Sequence, residues 1–198
     1  RFIVKKLFDD FLNISGFPEI VIENNLSLMD EYSKTVFYRD ILDRYKIKNA
    51  ELMRLLMQYI TSIYSQNFSI NKFNNFAKSQ GYTSSTSTVH QYVKMLEMVF
   101  YCFFITPKQK SVKKQYGKKA YLIDQGLINY LITEKDLGRI LENVVFLELL
   151  RQGKKPSFYE NGFECDFITE GAAIQVTYAL DENNKERELR GLVEAAKK

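Results

Sequence analysis

The chain has 198 residues, of which 45% are apolar and 26% charged, with a formal net charge of +4; this balance excludes a disordered chain and suffices for one large or two small folded units. Its longest apolar run, residues 99–105, is too short to cross a bilayer, and no signal-peptide pattern is present, so a cytoplasmic protein with no membrane partner is expected. Cys102 and Cys165 lie far apart in aromatic-rich runs, so buried free thiols are expected rather than a disulfide framework or a zinc site.

Residues 1–48 read as helix, turn, helix. Phe2, Val4, Leu7, Phe8, Phe11 and Leu12 recur near helical spacing, and Gly16-Phe17-Pro18 stops that helix. A second helix is expected over 27–45. Residues 49–123 then form a compact unit. Asn49 caps a helix with an apolar stripe of Leu52, Leu56 and Ile60, Ser69 caps a helix over 70–79, and Ser84 or Ser85 opens a third with Val89, Val93 and Leu96 inside. Two strands, 100–106 and 119–123, flank a loop, and three helices with a two-stranded hairpin make a winged helix-turn-helix.

Residues 124–198 are mixed. A short helix over 126–131 precedes a longer one, 137–152, which is apolar around most of its circumference and therefore expected against a sheet. Strands follow at 157–160, 163–169 and 172–178, then a charged helix over 184–197. The expected fold class is α+β: a helical segment (1–48), a winged helix (49–123) and a mixed α/β unit (124–198) whose helix, three strands and helix make most of an α-β-β-β-α-β core without the final strand. The chain begins with Arg rather than Met and is expected to be a piece of a longer protein.

Three features carry chemistry. Between Thr106 and Lys119 stand six lysines and no acid, a charge block suited to phosphate. The third helix of the winged unit offers Ser87, His90, Gln91 and Lys94, and the wing offers Lys113 and Lys114, as a nucleic-acid face for DNA or RNA; the same unit also suits a partner protein or an interdomain role. Last, an acidic helix followed by a strand with an Asp and a strand ending Gln-Val-Thr outlines a metal-dependent nuclease core in which the usual Lys is missing.

Taken together, Gly16-Phe17-Pro18-Glu19, Tyr38-Arg39-Asp40-Ile41, Tyr121 to Leu127, Leu141-Glu142-Asn143 with Glu148-Leu149, Asp166-Phe167, Ile174-Gln175-Val176 and Arg187-Glu188 resemble the C-terminal half of a prokaryotic family of AAA-type ATPases. In that family a P-loop domain is followed by a winged helix and a restriction-endonuclease-like (PD-(D/E)XK-like) domain of unknown function. The resemblance implies an ATPase domain ahead of Arg1, with ATP and Mg²⁺ bound there; no cofactor is expected in this chain, whose glycines form no P-loop. It also implies that Glu142 and Asp166 stand at the acids of a nuclease metal site, with Gln175 replacing the second strand acid and Thr177 the Lys. A neutral amide and a hydroxyl weaken such a site. The expectation is therefore a degenerate nuclease serving recognition, with an active nuclease, assisted by Lys154 or Lys155, or a purely protein-binding region as alternatives. Arg39 is a candidate nucleotide sensor acting as an arginine finger, or else an ion-pair partner of Asp43.

Overall fold

The computed structural model describes residues 2–108, 117–160, 162–182 and 184–196. The N-terminal segment holds α1 (Phe2–Asn13), α2 (Pro18–Glu23) and α3 (Leu28–Thr35), which runs on as a π-helical stretch, Val36–Asp43. Then come α4 (Ala50–Ser62), β1 (Gln66–Phe68), α5 (Ile70–Ser79), α6 (Thr86–Met98), β2 (Cys102–Ile105) and β3 (Lys118–Leu122). The remainder is α7 (Gln125–Leu131), α8 (Leu137–Arg151), β4 (Ser157–Glu160), β5 (Glu164–Thr169), β6 (Ala172–Ile174) and α9 (Lys185–Ala196). The fold is α+β, with two three-stranded antiparallel sheets ordered β1-β3-β2 and β4-β5-β6. Among the described residues no helix is long and apolar enough to cross a membrane.

Local chemistry accounts for most boundaries. The Asn49 side chain accepts the Leu52 N–H at 2.9 Å, Ser85 accepts that of Thr88 at 3.0 Å and Asp136 that of Arg139 at 3.1 Å, each satisfying an otherwise orphaned first-turn donor. Ser69, expected to cap α5, instead precedes it with no side-chain cap hydrogen bond. Asp124 caps α7 and reaches further: its carboxylate accepts from Gly126 N, Ser15 Oγ and Gly16 N at 2.6, 2.7 and 2.8 Å. Asn129 Nδ2 donates to the carbonyls of Leu12 and Ile14. The turn after α1 is thereby tied to α7, and the first core joins α1 to α7, parts of β1, β2 and β3, and Ile140 of α8 in one cluster.

Two elements have no counterpart in the sequence reading. Helix α2 starts at Pro18, whose fixed φ favours the first turn of a helix, whereas α1 has already ended at Asn13. Strand β1 is three residues long and is recruited by β3, Gln66 opposite Ala120 and Phe68 opposite Lys118. One expected strand is shorter than its pattern: the 172–178 run leaves the ladder after Ile174, because the next backbone donor, Val176 N–H, is given to the Asp166 carboxylate at 2.9 Å rather than to a strand. Cys102 and Cys165 are both buried free thiols.

Strand β3 is shared by two cores. Ala120 and Leu122 point into the large helical core, whereas Tyr121 joins Ile105, Phe146, Leu149, Phe158 and Phe167 in a second cluster beneath α8. Residues two apart on a strand face the same way, so Lys119 and Tyr121 share the side that meets α8 and β5. Beyond β2 the chain continues along the second sheet: Pro107 bridges Phe158 in parallel register, Lys108 N–H donates to Phe158 O at 2.8 Å and Phe158 N–H to Thr106 O at 3.3 Å.

Candidate functional site

The residues expected at a nuclease centre do come together, around a partner that the sequence reading placed elsewhere. Lys119 Nζ lies 2.6 Å from Glu164, 3.0 Å from Glu142 and 3.3 Å from Asp166. An ammonium has three N–H donors, and each finds a different carboxylate. The Lys119 side chain is 3% exposed, Asp166 8% and Glu142 11%, while Glu164 is half exposed at 51% and forms the outer wall. Glu142 Oε1 also accepts the Tyr121 hydroxyl at 2.7 Å.

Each position follows from local structure. Glu142 sits on the inner side of α8, one residue before Asn143, whose amide brackets Leu122 by accepting its N–H at 2.8 Å and donating to its carbonyl at 3.0 Å. That pair fixes α8 along β3. Asp166 is the middle of β5, buried between Cys165 and Phe167. Helix α9 closes the other side at Gly191, where an added Cβ would stand 1.9 Å from the Glu164 carbonyl oxygen; any larger residue there would lift α9 off β5.

The electrostatics follow from burial and proximity. Burial alone lowers the Lys119 pKa, but Glu142, Glu164 and Asp166 outweigh it and the group is held above the ordinary lysine range. Glu142 goes up to about 7: burial dominates, Lys119 and the Tyr121 hydroxyl offset only part of it, and the Asp166 charge adds to the rise. Asp166 is raised as well, chiefly by burial and against the pull of Lys119.

Gln175 is close to Asp166, as the strand order implies, but both ends of its amide are engaged. Its Oε1 accepts Asp166 N–H at 3.3 Å and its Nε2 donates to Glu188 at 2.6 Å; Glu188 in turn is held by Arg187 at 2.6 Å. Gln175 therefore orients Asp166 and α9 rather than offering a free ligand oxygen. Thr177 lines the same cavity, of about 500 Å³, and its hydroxyl donates to Ala179 O. With Lys119 Nζ seated between the acids, a divalent cation does not fit the residues as placed, and among the described residues no group of three or more His, Cys, Asp or Glu side chains is arranged to hold one.

The other candidates fall elsewhere. Lys154 and Lys155 are exposed and line no part of the cavity. Glu148 is on the solvent side of α8, paired with Arg151 at 2.9 Å. Ser87, His90, Gln91 and Lys94 are all exposed and share one face of α6 by their spacing; His90 also borders a groove of about 350 Å³ with Thr86, Asn71 and Lys118. Lys113 and Lys114 lie outside the described residues. Arg39 is 73% exposed and pairs with the adjacent Asp40 at 2.8 Å rather than with Asp43.

The functional residues missing from the sequence reading are Lys119, Glu164 and Tyr121. In the sequence Lys119 belongs to the lysine block; what buries it is the set of acids on α8 and β5.

Comparison with known proteins gives relatives without assigned roles. The chain is 32% identical over 205 residues to an uncharacterized protein of Methanocaldococcus jannaschii, covering 97% of this chain and 46% of that protein. It is 27% identical over 198 residues to an uncharacterized protein of Haemophilus influenzae, covering 93% and 49%. The chain thus spans about half the length of these relatives. No solved structure matches it. The family model for a domain of unknown function, DUF8612, matches residues 5–138, which take in the helical segment, the β1-β3-β2 unit with Lys119 and the start of α8, and the chain belongs to that family.

Proposed function

We propose that this region is a non-enzymatic recognition module of a longer protein, a winged helix joined to a degenerate nuclease-like unit, acting on nucleic acid or on a partner and coupled to ATP use by an AAA-type domain elsewhere in the full chain. The observation that carries this reading is the seat of Lys119: its ammonium takes one oxygen from each of Glu142, Glu164 and Asp166, so the place where a nuclease would hold its cation is filled by the chain itself. The order helix, β1, helix, helix, β2, β3 with β3 central supports the winged-helix part. The exposed Ser87, His90, Gln91 and Lys94 face on α6 supports nucleic acid as the ligand.

Two measurements test it. The chain is expected to leave DNA and RNA uncut in Mg²⁺ or Mn²⁺, and to bind DNA or RNA with an affinity that falls linearly in log–log form with salt. Cleavage abolished by Asp166→Ala would overturn the non-enzymatic part, and absence of binding at low salt would turn the reading toward a protein partner.

A second reading, a working metal-dependent nuclease, is favoured by the same lysine, which supplies the positive charge that Thr177 lacks. It requires Lys119 to leave at least two of its carboxylates. Metal titration separates the two: saturable Mn²⁺ binding by the wild type that disappears in Asp166→Asn favours the nuclease, and its absence favours recognition.

A further inference from the structure

Besides a long hydrogen bond from Asn67 on β1 to Glu160 on β4 at 3.5 Å, the contact between the two sheets is made in three ways, and they differ in what they can specify. The apolar part is the largest: Tyr121 stacks on Phe146 with ring centroids 4.2 Å apart, and Phe167 and Phe103 pack at 5.6 and 5.7 Å from Tyr121 and Phe146 respectively. Such burial is non-directional and tolerates sliding. The backbone part is thin. Among the described residues two backbone hydrogen bonds join the sheets, at Thr106, Lys108 and Phe158, and Pro107 between them has no N–H with which to extend the ladder. The third part is Lys119. Its three donors end on three carboxylates from two elements, Glu142 on α8 and Glu164 and Asp166 on β5, and a three-point polar contact around a buried ammonium restricts register more than apolar contact does.

We propose that the Lys119 cluster is an orientational lock: with α8 already placed along β3 by Asn143, it fixes the β1-β3-β2 sheet in a single register against the β4-β5-β6 sheet, while the aromatic cluster supplies the attraction. A buried ionic group of this kind contributes little net stability once its desolvation is counted, and replacement of the whole group by neutral residues is often neutral or stabilising. The lock therefore separates stability from uniqueness, which a residue contributing to packing alone would not do. Its success or failure is independent of the recognition reading, because no nucleic acid or metal enters the test.

The test compares three variants of the whole chain by thermal melting and by amide hydrogen exchange. Lys119→Met alone leaves buried carboxylates unpaired and is expected to lower the melting midpoint. The triple variant Lys119→Met, Glu142→Gln, Asp166→Asn is expected to melt at or above the wild type, while the inter-sheet amides of Lys108 and Phe158 exchange at least tenfold faster and the β2–β3 amides keep their protection. Glu164→Gln, which loosens only the half-exposed leg, serves if either of the others fails to fold, and is expected to raise exchange at Lys108 and Phe158 severalfold. The proposal is overturned if the triple variant keeps wild-type protection at Lys108 and Phe158, if protection is lost uniformly across the chain, or if Glu164→Gln leaves those two amides unchanged.

Discussion

The two faces of β3 bury opposite kinds of side chain. Ala120 and Leu122 go into a core whose buried members are almost all aliphatic or aromatic, while Lys119 and Tyr121 go under α8 into a site with three acids. Lys119 is as buried as Leu122, at 2% and 0% exposed, although its partner Glu164 is half exposed. What differs is what the buried group demands of its neighbours. Leu122 needs volume and contacts, which many arrangements provide. Lys119 needs three oxygens at fixed places, and without them its burial is unfavourable.

The largest expected effect is on the charged face. Lys119→Met removes one partner of a buried network and strands the acids, a change that costs about 3–5 kcal/mol; urea denaturation of the wild type and variant measures it. Added neutralisation of Glu142 and Asp166 is expected to recover most of that loss. A single variant as stable as the wild type would mean that water already screens the cluster, and the contrast between the faces would be lost.

On the apolar face, Leu122→Ala is expected to cost about 2–5 kcal/mol through lost transfer energy and the cavity left behind. No second substitution among the cluster acids rescues it, because nothing there is left unpaired. A cross-rescue of Leu122→Ala by Glu142→Gln would merge the two faces into one structural response.

How much of this was legible follows from the same contrast. The helices of the first core announce themselves by period and by caps: Asn49 and Ser85 are short-range signals that act within three residues, although Ser69 opens α5 with no side-chain cap. The pairing of Glu142 with Asp166 across 24 positions was likewise readable from element order. Lys119 was not read, because it is the sixth lysine in a run whose other members give no sign of burial, and its partners lie 23 to 47 residues away. Nor was the exit of 175–178 from the sheet readable, since alternation continues through Gln175 and Val176 while their polar groups turn to Asp166 and Glu188. Local rules fix local structure; a buried charge is placed by long-range partners.

A smaller effect concerns pH. Glu142 has a folded pKa of about 7, above its unfolded value near 4.5, so the folded state holds the extra proton between those limits. Stability from this group is full below about pH 4.5 and falls as pH rises toward 7. Asp166, also raised chiefly by burial, acts with the same sign. Melting midpoints measured from pH 4.5 to 7.5 are expected to decline less in Glu142→Gln than in the wild type. Equal slopes would show that Glu142 stays ionised throughout, which would place the compensating charge of Lys119 above the cost of burial.

The smallest effect belongs to the helical unit and sets the scale for the rest. Asn49→Ala deletes the side-chain acceptor of Leu52 N–H at the start of a helix whose Leu52, Leu56 and Ile60 are fully buried. Loss of an N-cap of this type costs about 1 kcal/mol, because the first-turn donor falls back on water while the buried face stays packed. The loss is expected in urea denaturation with an unchanged m-value, the sign that only the folded state's cap was altered. Hydrogen exchange at Lys108 and Phe158 is expected to slow or quicken no more than global stability does, since the cap lies outside the contact between the sheets. Selective deprotection of those two amides by Asn49→Ala would mean that the helical core, and not the Lys119 cluster, holds the sheets in register.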